Sequence, residues 1–169
     1  SFGKGIKFNA SKFPSCTLST LNSKGPSGCP KGSKVGTGSA TALVGGSPGE
    51  PAPTTTDALK VTAFNGPKGK TYLLYLDGDT PAAIKQAIEG KLGTATGDYG
   101  YKLDVTIPAN LQQPVPGLFA PLVDFKVNTG ATYTKKRKGK KSLKYNYIET
   151  FSCSGGKWPF NASLTFAND

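Results

Sequence analysis

The chain of 169 residues contains no histidine, no methionine and a single tryptophan. Without histidine it lacks the common general base near neutral pH, the usual catalytic triads and the commonest metal ligand. A cysteine nucleophile would have no imidazole to activate it. No stretch approaches the about 20 apolar residues that a membrane-spanning helix needs. We therefore expect no enzymatic activity, no metal, no cofactor and no membrane span.

Acidic residues are also few, ten against 21 lysines and arginines. Asp77 and Asp79 lie two residues apart, but nothing in the sequence places two carboxyl groups across a cleft, as a glycosidase requires. Residues 77–80 could bind calcium through their oxygens, although they lack the twelve-residue loop pattern. A turn at the end of a strand is the preferred interpretation. The glycine-rich residues 32–38 fit neither phosphate-binding fingerprint, so we interpret them as strand and turn.

Alternation of apolar and polar residues is clearest at 99–107, where tyrosine, leucine, valine and isoleucine occupy every second position. Such a period of two places all the apolar side chains on one face of a strand. Residues 84–92 alternate in the same way, and the turn-forming residues 93–98 separate the two runs. The pattern predicts a β-hairpin with one buried face, which needs further sheet to cover it.

A helix is the alternative for residues 81–92. Thr80 could cap it, Pro81 would occupy its first position and Gly90 would follow its end. Ile84, Ala87 and Ile88 would then form its apolar side. We prefer the strand because the alternation continues to residue 92.

The rest of the chain favours short strands joined by turns. Its 22 glycines and 13 prolines make up about a fifth of the residues, against an average near 12%. Residues 72–76 are apolar at every position, so both faces of the strand would be apolar, which predicts a central strand buried on both faces. The other predicted strands lie at 5–11, 34–45, 59–64, 123–133, 145–153 and 160–166. We expect one all-β domain over residues 1–169, a two-layer antiparallel β-sandwich of about nine strands. A closed or partly open β-barrel is the alternative fold.

Two of the three cysteines, in the loop 12–32, flank residues 17–28, which have little core of their own. A disulfide between Cys16 and Cys29 would close this loop and stabilise the fold by about 3 kcal/mol in the chain-entropy model. Cys153 is then left over. A buried small apolar side chain is the preferred interpretation of Cys153, and a disulfide to another chain is the alternative.

Several features favour export. The chain begins with Ser1 and contains no methionine. Such a start would suit the mature end left by a signal peptidase, or trimming of a longer chain. Asn9 and Asn161 stand in identical Phe-Asn-Ala-Ser tetrapeptides that match the N-glycosylation acceptor. We expect a secreted protein in the extracellular space or at the cell surface.

Seven of the 21 basic residues fall between positions 135 and 144, with no acidic residue among them. The predicted strands on either side make residues 134–144 a basic hairpin loop. Such a loop could bind an anionic polymer, namely an acidic polysaccharide, a cell-wall polymer or extracellular DNA. No aromatic residue lies inside the run, so recognition of specific nucleic acid bases is not expected. A solvated loop is the alternative. The candidate contacts are Lys135, Lys136, Arg137, Lys138, Lys140, Lys141 and Lys144.

The strands predicted near both termini suggest assembly. An edge strand can add to the sheet of a neighbouring molecule, and a head-to-tail contact of this kind propagates as a filament. Our leading hypothesis is an extracellular structural subunit that forms homo-oligomers or homopolymers by exchange of terminal strands. The candidate assembly residues are Ile6, Phe8, Phe160, Leu164 and Phe166.

Five stretches resemble secreted proteins of actinobacterial type that have no assigned function. They are Phe-Pro-Ser-Cys at 13–16, Cys-Pro-Lys-Gly-Ser-Lys-Val-Gly-Thr-Gly at 29–38, Val-Thr-Ala-Phe-Asn-Gly at 61–66, Tyr-Gly-Tyr-Lys-Leu at 99–103 and Ile-Pro-Ala-Asn-Leu at 107–111. The resemblance implies export and a β-rich fold. It carries no catalytic residues that could be transferred to this chain.

Overall fold

The computed structural model describes residues 1–45, 55–80, 83–114, 116–117 and 119–165, without the side chains of Arg137, Lys140 and Ser154. The described residues form eleven strands and two helices. The strands are β1 (Phe2–Gly3), β2 (Ile6–Phe8), β3 (Lys34–Val44), β4 (Thr55–Asn65), β5 (Thr71–Gly78), β6 (Ile84–Thr94), β7 (Tyr99–Val105), β8 (Leu122–Thr129), β9 (Thr132–Arg137), β10 (Lys140–Asn146) and β11 (Ile148–Thr150). The helices are α1 (Leu18–Lys24) and α2 (Ala109–Gln112).

One antiparallel sheet of seven strands dominates the fold, in the order β1-β7-β6-β5-β4-β3-β8, and curls into a half-barrel. Two further sheets have two strands each, β9 with β10 and β2 with β11. The all-β prediction is therefore confirmed. The predicted strand 123–133 is divided, because β8 ends at Thr129 and β9 begins at Thr132. Within 160–165 only Phe160 pairs, in an isolated bridge to Phe2.

Strand β5 lies at the centre of the seven-stranded sheet and is buried on both faces, as its apolar run predicts. Leu74 belongs to the main core on the concave face of the half-barrel. Leu73 points the opposite way, into a smaller cluster with Leu21 of α1. Full burial of each leucine side chain stabilises the fold by about 2 kcal/mol.

The hairpin of β6 and β7 confirms the strand interpretation of residues 84–92. Strand β6 pairs with β5 from Ile84 to Lys91, and Leu92 lies opposite Leu103 of β7. Ile84, Ile88 and Leu92 are buried while Lys85, Glu89 and Lys91 are exposed. The pairing with β5 thus places the apolar positions inside and the charged positions in solvent.

The disulfide between Cys16 and Cys29 is present, as predicted, with 5.2 Å between the Cα atoms. The loop it closes contains helix α1, which the sequence did not predict. The Thr17 hydroxyl caps this helix by accepting a hydrogen bond from the Thr20 N–H at 3.1 Å. A helix this short is not stable alone. It is fixed by the disulfide and by burial of Leu21 against the convex face of the sheet.

Asn65 joins three parts of the chain. Its side-chain amide donates hydrogen bonds to the carbonyl oxygens of Ala10, Phe13 and Pro14 at 3.0, 3.3 and 3.0 Å. Its side-chain oxygen accepts a hydrogen bond of 3.2 Å from the Tyr147 hydroxyl. Both residues are fully buried. The sequence predicts only a turn at Asn65-Gly66, whereas the structure uses the side chain to hold the N-terminal loop and the residue after β10.

Burial raises the pKa of the Tyr147 hydroxyl, and the neighbouring Tyr72 raises it further. Tyr147 therefore keeps its proton in the folded chain at pH values where an exposed tyrosine, with a pKa near 10, loses it. The unfolded chain then binds fewer protons than the folded one. The stability that protonated Tyr147 contributes is present below about pH 10 and falls as the pH rises above that value.

We expect Asn65→Ala to lower the free energy of unfolding by about 3 kcal/mol, because it leaves several buried carbonyl groups and the Tyr147 hydroxyl without their partner. Urea denaturation followed by tyrosine and tryptophan fluorescence measures this change. The control is Asn128→Ala on the exposed surface of β8, which should change stability by less than about 0.5 kcal/mol. Equal effects of the two substitutions would contradict the role of Asn65.

Candidate functional site

The lysine-rich run forms a hairpin of its own. In the part of the chain that the structure describes, strands β9 and β10 pair only with each other, with Tyr133 opposite Tyr145 and Lys135 opposite Leu143. Gly139 turns the chain at the tip with a φ of 69°, a conformation that glycine adopts without strain. All seven predicted polyanion contacts lie on this hairpin, which we call the basic hairpin (132–146).

The root of the basic hairpin is packed against the body of the protein. The ring of Tyr133 lies 5.7 Å from the ring of Phe13, centroid to centroid. Tyr145 packs against the same core. The Tyr147 N–H, just after β10, donates a hydrogen bond to the carbonyl of Ala131, just before β9, at 2.8 Å. These contacts fix the direction in which the hairpin projects.

The charges of the basic hairpin are distributed over both of its faces. Lys136 and Lys144 share the face that carries Thr134, and Lys135 lies on the other face with Leu143. The described lysines of the hairpin, 135, 136, 138, 141 and 144, are all exposed. Among the described side chains none of these lysines forms a salt bridge, and the salt bridges present join other parts of the surface. The hairpin therefore presents concentrated positive charge without an internal counterion.

A second candidate surface is the edge of the sheet at β8. This strand pairs with β3 on one side and has no strand on its other side among the described residues. Its Leu122 and Phe125 are directed towards the concave face of the half-barrel but remain 47% and 42% exposed. Gly38 lets β8 approach closely, since a Cβ there would lie 1.8 Å from the Lys126 carbonyl oxygen. The backbone of β8 is thus held close to β3 on one side, and no described strand covers its other side.

The opposite end of the sheet is formed by the N-terminus. Strand β1 pairs with β7, and Phe160 forms a bridge to Phe2. The Ser1 ammonium donates to the Asn161 carbonyl at 2.6 Å, and the Asn161 N–H donates to the Ser1 carbonyl at 3.2 Å. The N-terminus is therefore held within its own chain by residues 160–161.

The predicted assembly residues divide into two groups. Ile6 is buried, and Phe8 packs edge to face against Phe2 and Tyr101, so both contact the chain's own core. Phe160 and Leu164 are 63% and 77% exposed. Phe166 lies outside the described residues. We call residues 157–165, exposed along their whole length, the C-terminal segment.

The structure also locates the acidic pair, the third cysteine and the two N-glycosylation motifs of the sequence. Asp77 and Asp79 both face Lys85, at 3.8 and 3.5 Å from its ammonium. No group of three potential metal ligands occurs in the part of the chain that the structure describes. Cys153 is exposed, so the expectation of a buried side chain is wrong. The Asn9 amide is buried and donates to the Asn146 carbonyl at 2.9 Å, which leaves Asn161 as the accessible glycosylation acceptor.

Two cavities lined by described residues are both poorly suited to a small molecule. An apolar space of about 50 Å³ lies inside the half-barrel beneath Ile107, Leu111 and Phe125, far smaller than the roughly 300 Å³ or more of a ligand pocket. A groove of about 460 Å³ runs along Lys34, Gly36 and Asn128. It is shallow and lined largely by small residues and backbone. Extended surfaces are therefore the better candidates for function.

No helix among the described residues has the length and apolar character needed to cross a membrane. The fold and its surfaces define a disulfide-bonded all-β protein with an open-ended curled sheet and a basic hairpin. Comparison with protein families, curated proteins and solved structures finds no match to this chain.

Sequence patterns located the basic hairpin but missed the significance of β8. Alternation predicts that Phe125 and Val127 face a core. It carries no information on whether a strand has one neighbour or two, because that depends on pairing between distant segments.

Proposed function

We propose that this protein is an extracellular structural subunit that associates with copies of itself through the ends of its curled sheet. The observation that carries the proposal is the open edge of β8 with the exposed apolar side chains Leu122, Val123 and Phe125. Natural sheet proteins usually cover such an edge, because unpaired backbone groups beside apolar side chains bind other strands. Association with another copy would cover it here.

The two ends of the sheet differ, which sets the kind of assembly. One end is β8, and the other is β1 with residues 160–161 bridged to it. A contact between unlike ends is heterologous, so it continues from copy to copy instead of closing a dimer. A filament or open chain of subunits is the outcome that this geometry favours.

The disulfide supports an extracellular location. Disulfides such as that between Cys16 and Cys29 form and persist in oxidising compartments and are rare in the reducing cytosol. We assign the subunit to the cell surface or the surrounding medium.

We expect Phe125→Lys to reduce self-association at least tenfold, because a charge at the open edge opposes burial of that edge. Sedimentation velocity and light scattering over a concentration series measure the change. The control is Phe151→Lys, which alters a more exposed phenylalanine outside the seven-stranded sheet and should leave association unchanged. A wild-type chain that stays monomeric at the highest concentration tested would contradict the proposed function.

A second function is favoured by the basic hairpin, namely binding of an anionic polymer such as an acidic polysaccharide, a wall polymer or DNA. The exposed lysines lie close together on a packed root and have no acidic partner among the described residues. A bound polyanion would offset the mutual repulsion of these lysines, and the binding would release small cations condensed on the polymer. Lysines on both faces suit a flexible chain that winds around the hairpin.

We expect a variant with Lys135, Lys136 and Lys138 changed to serine to elute from heparin at lower salt. The slope of log affinity against log salt should become shallower by about two to three, since each lost ionic contact removes roughly one released counterion. The control changes Lys24, Lys60 and Lys91 to serine, which removes the same charge from exposed positions elsewhere. If both variants elute together, only net charge matters and the hairpin is not the binding site.

A further inference from the structure

We infer that the contact between copies joins the C-terminal segment of one molecule to β8 of the next, so that the two curled sheets become continuous. The inference rests on the proposed self-association and names the two surfaces that form it. It requires no rearrangement of the seven-stranded sheet, because both surfaces already stand at its ends.

The acceptor surface is the C-terminal part of β8. The register with β3 shifts near the N-terminal end of β8, where Ala42 pairs with Leu122 and Thr41 with Asp124. Such a bulge interrupts regular pairing. The Asp124 and Lys126 side chains form a salt bridge of 3.3 Å on the outer face of the strand. Regular pairing is therefore available to residues 125–129, whose Phe125, Val127 and Thr129 side chains face the concave side.

The donor surface has the matching pattern. Trp158, Phe160, Ala162 and Leu164 alternate with Pro159, Asn161, Ser163 and Thr165. In an extended conformation the four apolar side chains share one face, where they would continue the concave surface beside Phe125. The positions between them, 159, 161, 163 and 165, carry no charge, so none of them repels Asp124 or Lys126 across the new pair. The single charge of the segment is Lys157, at its start.

The position of the donor within its own chain explains why the partner is another copy. Asn161 is hydrogen-bonded to Ser1, and Phe160 lies opposite Phe2 in an isolated bridge, at the end of the sheet away from β8. Residues 162–165 extend beyond Ser1 and are exposed. The sheet curls through only half a barrel, and among the described residues β8 and the C-terminal segment stand at its opposite ends and are not paired with each other. Pairing between the free side of the segment and the free side of β8 would then join two molecules.

Cross-linking between two labelled copies tests this contact. One variant carries Ser163→Cys and the other carries Lys126→Cys, both with Cys153→Ser so that no other free thiol remains. The cross-linker spans two strand spacings, about 10 Å, which tolerates a shift in register. We expect mixing to give a covalent dimer of the two variants at least fivefold above the control.

The control replaces Lys126→Cys by Lys85→Cys, an exposed lysine on the same face in β6, four strands away from β8. Four strand spacings amount to about 19 Å, beyond the reach of the cross-linker. A chain that carries both Ser163→Cys and Lys126→Cys should give a ladder of oligomers. A cross-link within one monomer of that chain would overturn the inference, since the segment would then close its own half-barrel.

The outcomes separate the inference from the proposed function. If the unlabelled protein associates but the Lys126→Cys and Lys85→Cys variants cross-link equally, the inference is wrong and self-association stands. If the protein is monomeric at every concentration and no cross-linked dimer appears, the inference and the proposed function are both wrong.

Discussion

Backbone hydrogen bonding at the ends of the curled sheet is the constraint on which the proposed function of this protein depends. Among the described residues, strands β4 and β5 have neighbours on both sides, whereas β8 has one. A half-barrel cannot pair its first strand with its last, as a closed barrel does. The free edge then coincides with Leu122 and Phe125, two apolar side chains that the core leaves exposed. Pairing with another molecule would satisfy both the backbone groups and these side chains.

Contacts in the interior of the fold fix the position of the basic hairpin. Tyr147, the residue that follows the basic hairpin in the chain, is buried, and its hydroxyl donates a hydrogen bond to the Asn65 side-chain oxygen. The Asn65 side-chain amide also binds the loop that precedes the disulfide. Phe13, in that loop, packs against Tyr133 at the hairpin root and against Tyr147. The hairpin is thus braced by the same residues that join β4 to the N-terminal part of the chain. A polymer bound there would lie at a defined place on each subunit of an assembly.

Local patterns in the sequence predicted those parts of the fold that depend on neighbouring residues. Alternation located β6 and β7, a double-sided apolar run located β5, and the spacing of Cys16 and Cys29 located the disulfide. The clustering of lysines likewise located the basic hairpin, since charge is a property of the residues themselves.

The features that the sequence did not predict depend on distant contacts. Helix α1 has weak intrinsic propensity and forms because Leu21 is buried on strands far away in the chain. The three carbonyl groups that Asn65 binds belong to residues more than 50 positions away. Cys153 is exposed because residues 151–165 lie on the surface instead of entering the core. Whether a strand lies at an open edge depends on the pairing of distant segments, so the pattern of neighbouring residues does not predict it.

Amide hydrogen exchange as a function of protein concentration tests the central claim most directly. Amides of β5 should be protected at every concentration, because β4 and β6 pair with both of its sides. The amides of residues 125–129 that point away from β3 should exchange rapidly in dilute solution and slowly in concentrated solution, in step with association. Exchange at these residues that is the same at all concentrations, whether fast or slow, would contradict assembly through the edge of β8.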